Sequence, residues 1–136
     1  MDQARVNVLF LSEGANNSFH LRRHLEQFGC RCQVANCVEE GLVLVDRESF
    51  DLLLSTHRVH LASALIARLE HSVCSAFYRL EVEDGFWWVP ILERGRKCLG
   101  LPALRAAEFV DAIDRIIAKA QLRNSAEAQN AQAAAA

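Results

Sequence analysis

The apolar positions form blocks whose period changes along the chain. Arg5–Leu11 (Arg-Val-Asn-Val-Leu-Phe-Leu) predicts a first strand ending at Ser12-Glu13-Gly14. Ala15-Asn16-Asn17-Ser18 then offers caps for a helix running through Phe28, in which Leu21, Leu25 and Phe28 recur at helical spacing. Gly29 stops it, and Cys30–Ala35 reads as a shorter, more polar strand suited to a sheet edge. Asn36 with Glu39 three residues on resembles a capping box, and Val38, Leu42 and Val45 mark the buried face of a second helix. Asp51–Thr56 holds three leucines between polar ends, which is too short for a buried helix and fits a strand covered on both faces. Leu61–Glu70 predicts a third helix with Leu61, Leu65, Ile66 and Leu69 inward. The order βαβαβα with short connections predicts an α/β layer structure with helices on both sheet faces.

After this the period changes. Val73–Glu81 reads as a fourth strand, Glu83-Asp84-Gly85 as a turn and Phe86–Leu92 as a strongly β-prone run. Glu93-Arg94-Gly95-Arg96-Lys97 is a second turn candidate, so hairpin material stands where a repeating α/β fold would place a fourth helix. Pro90 predicts an edge or a bulge, because proline has no N–H to give to a ladder. Glu108–Ala120 is the last amphipathic helix, with Phe109, Ile113, Ile116 and Ile117 in its stripe. The expected domain covers 1–123, and 124–136 reads as a flexible Ala/Gln-rich tail with nothing to pack.

Composition narrows the function classes. With 136 residues, 51 % hydrophobic and 24 % charged, the chain has the make-up of one soluble globular domain. A formal charge of −2 gives no bulk attraction to nucleic acid or to an anionic membrane. Met1-Asp2-Gln3 begins no signal-peptide pattern and no stretch is apolar enough to span a bilayer, so a cytoplasmic location is expected. The odd set Cys30, Cys32, Cys37, Cys74 and Cys98 argues against a disulfide framework, and buried thiols are the expectation.

These residues carry a resemblance to the receiver domain of two-component response regulators. Val8-Leu9-Phe10-Leu11-Ser12-Glu13 is similar to the family's first strand with its acidic end. Phe50-Asp51-Leu52-Leu53-Leu54-Ser55-Thr56 resembles the strand that presents the phosphoaccepting aspartate. Leu101-Pro102, followed by Ala107-Glu108-Phe109, resembles the lysine-proline step and the last helix. The resemblance implies a doubly wound, flavodoxin-like α/β sandwich on a central parallel five-stranded sheet of order 2-1-3-4-5, with the fourth helix replaced by a β-hairpin-like segment. It also places a phosphorylation pocket at Ser12, Glu13, Ser55, Thr56, His57 and Leu101.

That pocket departs from the family's chemistry. One carboxylate (Glu13) remains of the magnesium-binding pair, Thr56 stands at the acceptor aspartate, and Leu101 stands at the lysine. Magnesium favours carboxylate oxygens in octahedral array, and a threonine hydroxyl is a weak nucleophile without an adjacent base. His57 follows directly, but consecutive strand residues face opposite ways. The expectation is therefore a degenerate receiver, neither an enzyme nor dependent on a cofactor or metal, that signals or scaffolds by protein contact. The alternative is an atypical receiver that takes a phosphoryl group or small ligand near Glu13 and Thr56. The family points to a histidine kinase, a receiver or a regulator as partner, or a homodimer.

Tyr78, Phe86, Trp87 and Trp88, with Arg94 and Arg96, form the expected interaction surface, since adjacent tryptophans on a strand point to opposite sides: one can enter the core, and the other faces a covering loop or tail, a partner or solvent. Nucleic acid is not expected there, because Glu81, Glu83, Asp84 and Glu93 offset the arginines. His20 and His24 have a spacing at which two imidazoles reach one metal, but the sequence lacks the His-Glu-x-x-His pattern, and a solvated flank is expected.

Overall fold

The computed structural model describes residues 5–12, 19–56, 63–83, 85–98 and 100–135. Its elements are β1 (Asn7–Leu11), α1 (Phe19–Gln27), β2 (Arg31–Ala35), α2 (Val38–Arg47), β3 (Leu52–Ser55), α3 (Ser63–Leu69), β4 (Ser75–Val82), β5 (Gly85–Glu93), β6 (Arg96–Lys97) and α4 (Ala106–Ala135). The strands form one sheet in the order β2-β1-β3-β4-β5-β6.

Alternation along the strands makes two cores. Val8, Phe10, Leu52 and Leu54 face one side of the sheet and pack with Leu25 of α1 and with Phe109, Ile113 and Ile117 of α4. Leu9, Leu11 and Leu53 face the other side and pack with Leu65, Ile66 and Leu69 of α3. β1 and β3 are thus apolar at every position because helices cover both their faces. Truncating a side chain as enclosed as Phe10 (1 % exposed) is expected to cost about 3–5 kcal/mol.

The expected parallel five-stranded sheet is corrected. β1 to β4 are parallel, but β5 returns antiparallel to β4, and β6 adds a short antiparallel sixth strand. The physical reason lies in the connection: a parallel return needs a crossover of a dozen or so residues, and only the turn between Val82 and Gly85 is present. Pro90 sits beside the expected irregularity. Phe77 pairs with Pro90 and Ala76 with Leu92, so Ile91 is the extra residue of a bulge.

The helix ends also differ from expectation. Phe28 lies beyond α1, after which Gly29 turns into the left-handed region (φ +83°), and its ring stands half exposed, edge-on to His24. No side chain caps α2 at Cys37; instead Glu40 accepts the Asn36 N–H at 2.9 Å. α4 does not stop near Ala120 but continues as helix to Ala135. Alanine carries no side-chain entropy penalty in a helix, and Asn124 finds a partner after all, since its amide donates to the Arg5 carbonyl.

β5 and β6 are joined by Arg94 and Gly95, both with positive φ (53° and 80°), the backbone of a tight two-residue hairpin turn. The turn is bonded beneath the loop before β4: Gly95 N–H donates to the Cys74 carbonyl (2.8 Å), and His71 N–H donates to the Gly95 carbonyl (3.0 Å). A Cβ on Gly95 would stand 2.2 Å from the Ser72 carbonyl oxygen, so only glycine fits. Arg94 holds a conformation that costs an ordinary L-residue about 1–2 kcal/mol.

Candidate functional site

Parallel pairing sets the C-terminal ends of β1 and β3 side by side, with Leu11 opposite Ser55 and Ser55 opposite Tyr78. Ser12, Ser55 and Thr56 therefore meet as expected; Glu13 and His57 lie outside the described residues. Ser12 and Ser55 are fully buried. Ser12 N–H donates to the Ala35 carbonyl (3.0 Å) and Thr56 N–H to the Leu11 carbonyl (2.9 Å), extending the parallel ladders by one residue. The Thr56 hydroxyl donates to that same Leu11 oxygen (3.3 Å). The hydroxyl proton is thereby engaged by a backbone carbonyl, which ties Thr56 into the strand end.

Leu101 does not join this group. It is half exposed and shares a groove with Val73, Glu93 and Arg94, which lie at the N-terminal end of β4 and the end of β5 paired to it. The expectation that Leu101 joins Ser12, Ser55 and Thr56 is therefore corrected: it follows the β5–β6 hairpin, which carries it to the groove lined by Val73 and Arg94.

The expected interaction surface separates into three parts. Trp88 belongs to the core, 5 % exposed and stacked on Phe109 with ring centres 4.2 Å apart, while Phe77 meets Phe109 edge-on at 5.4 Å. Trp87 remains partly exposed beneath the Arg105 guanidinium, 4.9 Å from the ring centre. Phe86 is 44 % exposed, with the Arg79 guanidinium 5.3 Å from its ring. Tyr78, Phe86 and Trp87 occupy the outer half of the hairpin. Arg94 and Arg96 lie beyond the other end of β5, about 23 Å from Phe86 along an extended strand.

Leu80 and Val82, 45 % and 42 % exposed, are functional candidates that the sequence reading missed. β4 pairs with β3 only as far as Tyr78, so the residues after it form a two-stranded ribbon standing beyond β3. Leu80 shares a face with Trp87, while Phe86 and Glu81 share the opposite one. The available signal was length: β4 has eight residues against four in β3.

A second polar centre lies at the N-terminal ends of the strands, around Asp51. This residue is 6 % exposed and its carboxylate accepts the Asn7 N–H (3.0 Å), the Arg123 guanidinium and the Asn124 amide (3.4 Å). The ion pair fastens α4 to β3. Beside it, burial pushes the Cys30 thiol up to about 11, with the negative charge of Asp51 adding to the effect. Cys74 is shifted further in the same direction, again chiefly by burial. Cys32, on the same side of the sheet, rises to about 12 for the same main reason. All five cysteines are unpaired thiols; Cys30 and Cys74 are buried as expected, whereas Cys32, Cys37 and Cys98 are only partly so.

A cavity of about 40 Å³ is lined by Asp51, Ser75, Lys119 and Arg123 among others. Past its Val73–Arg94 side opens the larger groove that holds Leu101, of about 670 Å³. His24 faces the Asp114 carboxylate at 3.4 Å. Among the described residues no three His, Cys, Asp or Glu side chains gather closely enough to hold a metal ion, and no helix is long and apolar enough to cross a membrane. Compared with known proteins, the chain matches no family model, no curated protein and no solved structure.

Proposed function

We propose that this chain is a receiver-like domain that acts by protein–protein contact and transfers no phosphoryl group. The observation that carries this reading is the apolar tip of the β4–β5 hairpin, where Leu80, Val82 and Phe86 stand exposed on a ribbon beyond the end of β3. Apolar side chains exposed on both faces of a projecting ribbon, Leu80 and Val82 on one and Phe86 on the other, are the usual material of contact surfaces. The strand order β2-β1-β3-β4, with α1 and α4 packed on one face and α3 on the other, supports the flavodoxin-like reading of the first four strands. The hairpin then stands for the family's fourth helix and fifth strand.

The crevice supports the second half of the proposal. Its described polar side chains are neutral hydroxyls, and Thr56 bonds to the backbone where an acceptor carboxylate would stand. The partner is another signalling protein, a histidine kinase, a receiver or regulator, or a second copy of the chain.

Two measurements test this. Incubation with magnesium and acetyl phosphate, read by intact mass, is expected to add nothing; an added phosphoryl group would favour the atypical receiver using Glu13 and Thr56. Sedimentation of the chain, alone and with the histidine kinases and receivers of its own organism, is expected to reveal a complex that the Leu80→Ser/Phe86→Ser variant fails to form. A complex that persists unchanged in that variant removes the hairpin tip from the reading.

A further inference from the structure

The groove at the other end of β5 is a second contact surface, and we infer that it receives an acidic segment of a partner protein in which carboxylates alternate with apolar side chains. This rests on the protein-contact reading above, and names a separate surface and the chemistry of what it takes.

Three features define the occupant. The first is charge. Arg94, Arg96 and Lys97 line the groove against the single carboxylate of Glu93, and Lys119 stands across the adjoining cavity. Lys97 is shared with Glu70 at 3.3 Å, whereas among the described residues no carboxylate pairs with Arg94, Arg96 or Lys119. On a chain of net charge −2, this is a local excess of unpartnered cations.

The second is the floor. Val73 and Leu101, 39 % and 51 % exposed, give the groove apolar surface that charges alone would not use. Among the described residues no aromatic ring lines it, so they offer no stacking platform of the kind with which single-stranded nucleic acid is held. Apolar floor and cationic rim together fit a peptide, whose side chains alternate between the two in an extended conformation.

The third is rigidity. Arg94 holds a left-handed backbone conformation in which glycine or asparagine is the usual residue. Its N–H donates to Ser75 Oγ (3.1 Å), and Gly95 beside it is bonded on both sides to the loop before β4. The guanidinium is thus carried on a fixed backbone, which reduces the ordering that binding must impose. An arginine at a strained backbone position points to use of its side chain.

The test uses the full chain and a fluorescein-labelled peptide of alternating glutamate and leucine, followed by fluorescence anisotropy. The peptide is expected to bind, to weaken with added salt, and to lose about tenfold in affinity in Arg94→Glu/Arg96→Glu. Arg96→Glu/Lys119→Glu, which leaves the strained position untouched, is expected to weaken binding in the same direction. Leu101→Ser, which removes the apolar contact without changing charge, is expected to weaken the glutamate–leucine peptide while leaving the weaker binding of oligo-aspartate unaffected.

Absence of binding, or equal affinity in all three variants, overturns the inference. So does binding of oligo-aspartate or single-stranded DNA as tight as that of the glutamate–leucine peptide, which would make the groove a general anion site. Failure here leaves the hairpin-tip and intact-mass results untouched, and a phosphoryl adduct in that assay would overturn the proposed function without deciding the groove.

Discussion

At the C-terminal ends of β1 and β3 the described polar side chains, Ser12, Ser55 and Thr56, are neutral, with Thr56 bonded to the backbone. At the opposite end of the same two strands, a buried carboxylate gathers an arginine and an amide from α4 and a backbone N–H from β1. Open α/β sheets ordinarily put their chemistry at the first of these ends. Among the described residues at these two ends, the charged groups lie at the second. The difference teaches that the strand framework and the placement of charge are separable: the leucines that make β3 a central strand are indifferent to which of its ends carries a carboxylate.

The largest expected effect comes from removing that carboxylate. Asp51→Ala leaves the Arg123 guanidinium, 20 % exposed, without its partner, and is expected to lower unfolding free energy by about 3 kcal/mol or more in a denaturant titration. A loss below that expected of Thr56→Val would break the comparison. Gly95→Ala follows, since the new methyl meets the Ser72 carbonyl and the backbone keeps a positive φ; a loss of about 2 kcal/mol or more is expected. Wild-type stability after this substitution would mean that the turn gives way.

A pH titration sharpens the same contrast. Cys30 ionises near 9.0 in the unfolded chain but near 11 in the fold. Over that interval the folded state holds more protons, so stability is fully present below about pH 9 and falls as pH rises towards 11. Thermal unfolding at a series of alkaline pH values is expected to show this fall, and a Cys30→Ala variant to show less of it. At the neutral end, Thr56→Val removes one hydroxyl bond to the Leu11 carbonyl, and a change of about 1 kcal/mol is the smallest expected effect.

The framework of the fold was legible because it rests on short-range patterns. The unbroken apolar runs Val8–Leu11 and Leu52–Leu54, the stop at Gly29 and the hairpin material after Val73 each carry a local physical signal. The reversal of β5 was readable in principle, since the turn at Glu83–Gly85 leaves no room for a crossover, and only the family resemblance pointed to a parallel fifth strand. The Asp51–Arg123 pair was not readable, because it joins residues 72 positions apart and depends on α4 continuing past Ala120. The same is true of Leu101, whose place is set by a hairpin that diverts the chain before reaching it. Trp87 and Trp88 divide as strand alternation requires, one into the core and one towards the surface; the pattern did not say which.

The length of α4 gives the Asp51 contact a mechanical meaning. From Phe109, held in the core, to Arg123 is about 21 Å of helix, and from Arg123 to Ala135 about 18 Å more. Because Ile113, Ile117 and Ala120 are buried as well, the rod leaves the core only beyond Ala120, and the Asp51 contact at Arg123 sits at its root. The buried ion pair therefore sets the pointing direction of the final turns, and a label near Asn130 would report its loosening before any spectroscopic sign of unfolding.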